Sequence, residues 1–380
     1  MIKNKNEFYD FLEKWKSYDS FYLFGYSSRL KAILPSLEKE IKIIGILDND
    51  VSKQGAVFRN IKVISPDILR KEKGKVIVFS YSYHEISQQL QSFGLIEDVD
   101  FCGIIEYMGA INALYERIYI DRVQIAVTME CNLKCKDCVW QISKCNNSSH
   151  FDLNAIKEDI ISFFNIVHRI GVLDLLGGEP FLWPYLRELI RFVIENYSNR
   201  LDDIFVTTNG TIIPDDSLLA ILSKHRINIL ISDYSTKIPY QKRISELIDT
   251  LRKYDIPHTH NKIDDWADFK LNEELNLSPE ELIEHYRRCN FCRSISNGKF
   301  YTCQVLWAAV HNGTIEDNPN DYVKYSELDK ESWKDKLKLI AFNLKMGEAL
   351  SLCKKCRGID SNYVIKIDAA IQDVSHNEPL

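Results

Sequence analysis

Val123-Gln-Ile-Ala-Val127-Thr-Met-Glu-Cys131-Asn-Leu-Lys-Cys135-Lys-Asp-Cys138 is the stretch on which the reading of this 380-residue chain turns. Its first five residues are mostly apolar and β-branched, which predicts a strand over Val123–Val127. Three cysteines in a C-x3-C-x2-C spacing come directly after it. Spacing this tight lets one loop wrap three thiolates round a single inorganic cluster. Three ligands on a four-iron cube leave one iron open to a substrate or cofactor, as a catalytic metal site keeps a vacant position. Zinc, or structural thiols that merely lie close in sequence, are the alternatives the spacing leaves open.

Strand patterns recur downstream at Val172–Leu176, Ile204–Thr208, Ile227–Ser232 and near Ile256–His260, with amphipathic helices between them. Asp152 can cap a helix that carries Leu153, Ile156, Ile160, Phe163, Phe164, Val167 and Ile170 on one face, at spacings of three and four. Repeated strand-then-helix units predict a parallel barrel or open part-barrel, with its active site at the C-terminal ends of the strands. Polar motifs stand at those ends. Gly177-Gly178-Glu179-Pro180 comes after the second strand, Thr207-Thr208-Asn209-Gly210 ends the third, and Ser232 ends the fourth. Two glycines let the backbone approach a ligand closely, and a neighbouring carboxylate can accept hydrogen bonds from an ammonium group. Each of the hydroxyl and amide residues can equally cap a helix.

With these motifs in this order, residues 120 to 275 resemble the radical S-adenosylmethionine (SAM) superfamily, whose signature is this cysteine spacing on the loop after the first barrel strand. The resemblance implies a catalytic [4Fe-4S] cluster on Cys131, Cys135 and Cys138, with SAM chelated at the open iron. It further implies reductive cleavage of SAM to a 5′-deoxyadenosyl radical that abstracts hydrogen from substrate. Gly177, Gly178, Glu179, Pro180, Thr208, Asn209 and Ser232 would bind the cofactor, Glu179 receiving its amino group. An electron donor such as flavodoxin or ferredoxin is implied as well. Asp137 departs from the pattern, since the family often places an aromatic residue there against the adenine.

From residue 278 the alternation stops. Ser278-Pro-Glu-Glu281 reads as a capping box that opens a helix toward Cys289. Residues 293 to 304 read as a hairpin turning at Asn297-Gly298. A last helix over Ser332–Leu352 is expected to deliver Cys353 and Cys356, and the residues after Gln372 read as a mobile tail. Cys292, Cys303, Cys353 and Cys356 around a glycine-turned hairpin resemble the twitch domain, the one-cluster relative of the SPASM extension. That resemblance implies a second, auxiliary [4Fe-4S] cluster. Cys289 is then the spare thiol, although a zinc ribbon from Cys289, Cys292, Cys353 and Cys356 has ordinary structural-zinc spacing.

The N-terminal segment alternates short apolar runs, Phe21–Gly25, Ile41–Asp48 and Lys75–Ser80, with helical patterns, and Ser65-Pro66-Asp67 reads as a helix start. Gly25 is the sole glycine of a would-be G-x-G-x-x-G turn, and Asp48 stands about where a ribose ligand would be. The segment resembles Rossmann-like domains attached to enzymes of surface-polysaccharide pathways, which leaves nucleotide-sugar binding and plain docking as alternatives. The fold class expected is therefore α/β. An N-terminal Rossmann-like parallel sheet over 1–112 precedes a partial (β/α)6 barrel over 113–280 and a small cluster-binding α+β extension over 281–380.

A net charge of −6 offers no general basic surface for nucleic acid. Residues 1–8 lack an apolar signal region, and no apolar run nears the ~20 residues of a membrane span. Ten cysteines in a chain of this size suit a reduced, cytoplasmic protein in which clustered thiols bind metal. Hydrogen abstraction from a small polar molecule, a sugar, aminocyclitol or nucleotide-sugar, is the leading expectation, as dehydrogenation or epimerisation. A SPASM-type peptide or protein maturase and a non-enzymatic, zinc-stabilised binding protein are the alternatives.

Overall fold

The computed structural model describes residues 15, 18, 20–39, 41–72, 74–80, 82–104, 107, 117–145, 150–269, 271, 273–289, 292–359 and 363–373. The expectations for residues 1–8 and for the tail beyond 373 lie outside that set. The chain divides into two compact units. One comprises residues 1–121, 167–171 and 329–348; the other comprises 122–166, 172–328 and 349–380.

The first unit is built on a six-stranded sheet in the order β3-β4-β2-β1-β5-β6. Its strands are β1 (Ser20–Phe24), β2 (Lys42–Leu47), β3 (Val57–Phe58), β4 (Ile61–Ile64), β5 (Lys75–Val78) and β6 (Phe101–Gly103). All pairings are parallel except the short β3–β4 ribbon. Tyr22, Phe24, Leu47, Val76, Val78 and Phe101 meet Leu90 from helix Tyr83–Ser92 in one buried cluster. Ser65 does cap the turn it begins, accepting from the Asp67 amide, but the element it opens is a short 3-10 helix, Pro66–Arg70. Cys102 is fully buried in β6. Asp48 accepts from the backbone amides of Tyr26 and Asp50 at 2.8 and 2.9 Å, so its carboxylate ties together the loops after β1 and β2.

The second sheet has β7 (Tyr119–Thr128), β8 (Arg169–Gly177), β9 (Leu201–Thr208), β10 (Asn228–Asp233) and β11 (His258–Lys262) as successive neighbours, all in the second unit except the first three residues of β7 and of β8. Helices Leu153–Ile166, Leu186–Tyr197, Asp216–Lys224 and Gln241–Lys253 connect them in turn. β9, β10 and β11 pair in parallel. On the far side of β7 the sheet continues into β13 (Ser294–Ser296), β14 (Lys299–Tyr301) and β15 (Val323–Lys324). A separate ribbon joins β12 (Asp265–Ala267) to β16 (Lys366–Asp368) in antiparallel register.

Helix Leu153–Ile166 begins on the Asp152 carboxylate, which accepts from Ala155 N at 2.9 Å, and buries Ile156, Ile160, Phe163 and Phe164. Val167 and Ile170 are buried too, but they belong to the turn and the start of β8, not to the helix. Both segments are apolar, so the helical spacing runs on past the true end. The capping box at Ser278 and Glu281 is complete in both directions and opens helix Pro279–Arg288, with Cys289 as its C-cap. The final long helix spans Trp333–Asn343 only. Lys345, at φ 56°, turns the chain into the left-handed region, which a helix cannot propagate through. Cys353 sits instead on a short 3-10 helix, Ser351–Lys354.

Candidate functional site

The loop after β7 carries the three cysteines into a cavity of about 370 Å3 within the second unit. Cys131, Cys135 and Cys138 line it together with Gly177 and Gly178 after β8, Thr208 and Asn209 after β9, and Ser232 in β10. Motifs separated by up to 101 positions thus converge because consecutive parallel strands end on the same edge of the sheet. Glu179 and Pro180 are not among the lining residues.

Both glycines are fixed by close backbone approach. Gly177 has φ 128°, and a Cβ there would stand 2.3 Å from the Thr128 carbonyl oxygen. A Cβ on Gly178 would stand 1.9 Å from the carbonyl oxygen of Glu130. The amides of Gly178 and Glu179 donate to those same two carbonyls at 2.8 and 2.7 Å. The turn after β8 is therefore laced to the root of the cysteine loop.

Glu179 is wholly buried. Its carboxylate accepts from Thr208 Oγ1 at 2.8 Å, Asn209 N at 2.8 Å and Phe181 N at 3.2 Å. Burial outweighs these three donors and pushes its carboxyl up to about 7. Its contacts are thus a brace between the turns after β8 and β9. Asn209 reaches onward, donating its side-chain amide to Cys131 Sγ at 3.6 Å and to Asn132 Oδ1 at 3.1 Å.

The thiols are shielded. Burial raises all three, Cys135 to about 12, and the charge of Glu179 adds to the rise at Cys131. A thiol so raised becomes a ligand only when a metal displaces its proton. Among the described residues no three His, Cys, Asp or Glu side chains are gathered for a bare ion. The donor set, three thiols on one loop facing a cavity, with Cys135 buried and Cys131 and Cys138 half-buried, has the chemistry of an iron–sulfur site.

Two aromatic rings that sequence reading passed over wall the same cavity. Tyr234 and Trp266 pack edge to face at 5.4 Å between ring centroids. Asp137 lines the cavity as well and brings no ring to it. Tyr234 lies two residues beyond Ser232, just past the end of β10, and its place at a strand's C-terminal end was the available signal. A second recess, of about 580 Å3, adjoins the first along Asp137, Cys138, Val139 and Phe269 and is lined further by Lys136, Gln141, Lys144, Asp268 and Thr314.

In the C-terminal cysteine group, Cys353 and Cys356 are buried, and Cys289, Cys292 and Cys303 are half-buried. No disulfide joins any of the chain's ten cysteines, all of which are described. Burial, then the charges of Cys303, Cys289 and Cys353, push Cys356 up. A Cβ on Gly358 would lie 3.4 Å from Cys289 Sγ, and the Gly358 amide donates to Cys356 Sγ at 3.4 Å. Cys289 therefore belongs to this group in space. Cys292 stands at the base of the β13–β14 hairpin, its carbonyl accepting from Gln304 N at 3.0 Å.

Residues 122–235 match the family model for a 4Fe-4S single cluster domain, and residues 18–99 match that of a C2185-like N-terminal domain. The GTP 3′,8-cyclase of Clostridium acetobutylicum is 31% identical over 181 residues, 43% of this chain and 54% of that protein. The GTP 3′,8-cyclase of Syntrophomonas wolfei subsp. wolfei is 30% identical over 95 residues, 24% of this chain and 28% of that protein. The chain thus spans about half or less of the length of these curated relatives. The solved structure of BtrN in complex with AdoMet and 2-DOIA superposes with a TM-score of 0.41 at 16% identity, covering 65% of this chain and 98% of that one. The second unit carries an iron–sulfur domain of the single-cluster type. Its motifs stand round one cavity in the order of the radical SAM superfamily, and the similarity to known proteins falls on this same segment.

No helix among the described residues is long and apolar enough to cross a membrane.

Proposed function

We propose that the chain is an enzyme that cleaves SAM reductively and abstracts hydrogen from a small polar substrate, a sugar, aminocyclitol or nucleotide-sugar. The observation that carries the reading is the single cavity shared by Cys131, Cys135, Cys138, Gly177, Gly178, Thr208, Asn209 and Ser232. When bound, the cluster and SAM supply the one-electron chemistry that ends in hydrogen abstraction from carbon. The protein's part is placement and exclusion of water. In this reading the three thiolates hold the cluster, and the exposed backbone of Gly177 and Gly178 admits the cofactor. Glu179, buried behind the cavity lining, fixes Thr208 and Asn209 beside it. Tyr234 and Trp266 supply the aromatic surface that Asp137 does not.

The adjoining recess, lined by Lys136, Lys144, Gln141, Asp268 and Thr314 as well as by Val139, Phe269, Leu271 and Val305, gives a substrate both polar and apolar contacts. For the second cysteine group we propose an auxiliary [4Fe-4S] cluster with Cys289, in place of Cys292, in the ligand set beside Cys303, Cys353 and Cys356, because the Cys289 and Cys356 sulfurs both flank Gly358. Such a cluster is an electron sink and favours oxidation over epimerisation. Segments 1–112, 113–280 and 281–380 act as the sheet, catalytic and auxiliary modules. A flavodoxin or ferredoxin serves as donor in the reducing cytoplasm.

The test is 5′-deoxyadenosine formation by the anaerobically reconstituted, reduced protein. Replacing Cys131, Cys135 and Cys138 together by Ala should abolish it, and full retention would refute the assignment.

A further inference from the structure

Residues 369–373 cross from the cavity wall to the cysteine loop. β16 pairs with β12, whose Asp265, Trp266 and Ala267 line the cavity, and Ala369 N then donates to Asp264 O at 2.9 Å. Ala369 and Ala370 are fully buried. Beyond them the chain lies antiparallel to the cysteine loop. Lys136 N donates to Ile371 O at 2.8 Å, Asp373 N to Lys134 O at 2.7 Å, and Gln372 forms a β-bridge with Cys135.

The Gln372 side chain is held at all its polar atoms. Its oxygen accepts from Lys134 N at 2.8 Å. Its nitrogen donates to Ala370 O at 2.8 Å and to Cys135 Sγ at 3.2 Å. A flipped amide would set its nitrogen against the Lys134 amide and its oxygen against a carbonyl and a sulfur. The orientation with the N–H on sulfur is thus the one that satisfies both ends.

We infer that residues 369–373 form a strap over the cysteine loop and that Gln372 is a positioning residue which raises the reduction potential of the cluster bound there, through its N–H···S bond to Cys135. This rests on the reading that Cys135 is a cluster ligand. Reduction adds negative charge to a cluster and its thiolates. A donor on a ligand sulfur therefore favours the reduced state, and hydrogen bonds to sulfur are among the terms that set such potentials. The burial of Cys135 strengthens the effect, because the local dielectric is low.

The experiment is a redox titration of the reconstituted holoenzyme, with the reduced catalytic cluster followed by electron paramagnetic resonance. Gln372→Leu removes the donor; Gln372→Glu keeps the shape but cannot donate when ionised. Both variants should assemble the wild-type content of iron. The midpoint potential should fall by about tenfold in the oxidised-to-reduced equilibrium, ~59 mV for one electron, with the larger fall in the Glu variant. A role confined to holding the strap would change cluster lability and leave the potential alone. An unchanged potential at full iron content overturns the inference and leaves the cluster assignment standing. Undiminished iron in the chain lacking Cys131, Cys135 and Cys138 overturns the assignment, and the inference with it.

Discussion

Glu179 is a carboxyl that folding holds in the wrong charge state for water. A free glutamate loses its proton near 4.3, whereas this one is pushed up to about 7. Below both values the two states bind the same proton and there is no penalty. As pH rises from the ordinary value toward 7, the unfolded chain has released a proton that the folded chain still keeps, so stability falls. The cluster-free protein should therefore lose on the order of 3 kcal/mol between pH 4 and pH 8 from this group. Urea titrations of Glu179→Gln should lack that slope, since an amide does not titrate, although the variant's NH2 must face a backbone N–H, of Asn209 or of Phe181, where a carboxylate oxygen accepted before. An unaltered slope would show that Glu179 is not the group responsible. Gly178→Ala addresses the same turn from the backbone. With the Glu130 carbonyl only 1.9 Å from the new Cβ, the turn must move off the cysteine loop, at a cost of ~2 kcal/mol or more. Thermal denaturation measures the loss, and an iron count should show poorer retention at the first cysteine set.

Asp159 shows what a single residue can do for an element. It sits on helix Leu153–Ile166, and its carboxylate accepts from Asn297 N and Gly298 N at 2.6 Å each and from the Tyr325 hydroxyl at 2.9 Å. It thereby pins the turn of the β13–β14 hairpin. Asp159→Asn should cost about 2 kcal/mol, with hydrogen exchange at Asn297 and Gly298 accelerated more than at β9 or β10. Uniform acceleration would show that the helix, not the hairpin, depends on the carboxylate. The hairpin itself was readable from Asn297-Gly298, because both residues must take positive φ, 51° and 71° here, and those two residue types do so at least cost. The capping box was readable for the same reason, since its four residues are local. The end of the last helix was not, because a lysine at position 345 carries no signal for a left-handed turn. Nor was Asp159, which looks like an ordinary polar position of an amphipathic helix until the hairpin 138 residues away is placed beside it.

At the scale of the molecule, two cysteine groups predict two cofactors. The anaerobic protein should contain about eight irons and eight sulfides, and about four of each after Cys353→Ala with Cys356→Ala. Stoichiometric zinc in the second set would favour the ribbon. Cys289→Ala should lower the second count more than Cys292→Ala does, and the reverse order would return Cys292 to the ligand set. The strand-end motifs announced the first site because parallel strands bring their C-terminal ends together wherever they lie in sequence. The strap was silent, since Gln372 and Cys135 are 237 residues apart and only the folded chain joins them. That separation has a consequence for the order of events at the ribosome. At ~5–20 residues per second, the three thiols emerge roughly 12 to 47 s before the residues that cover them, an interval in which a carrier protein meets the loop uncovered. Nascent chains stalled before residue 369 should therefore accept a preformed cluster faster than the released polypeptide does.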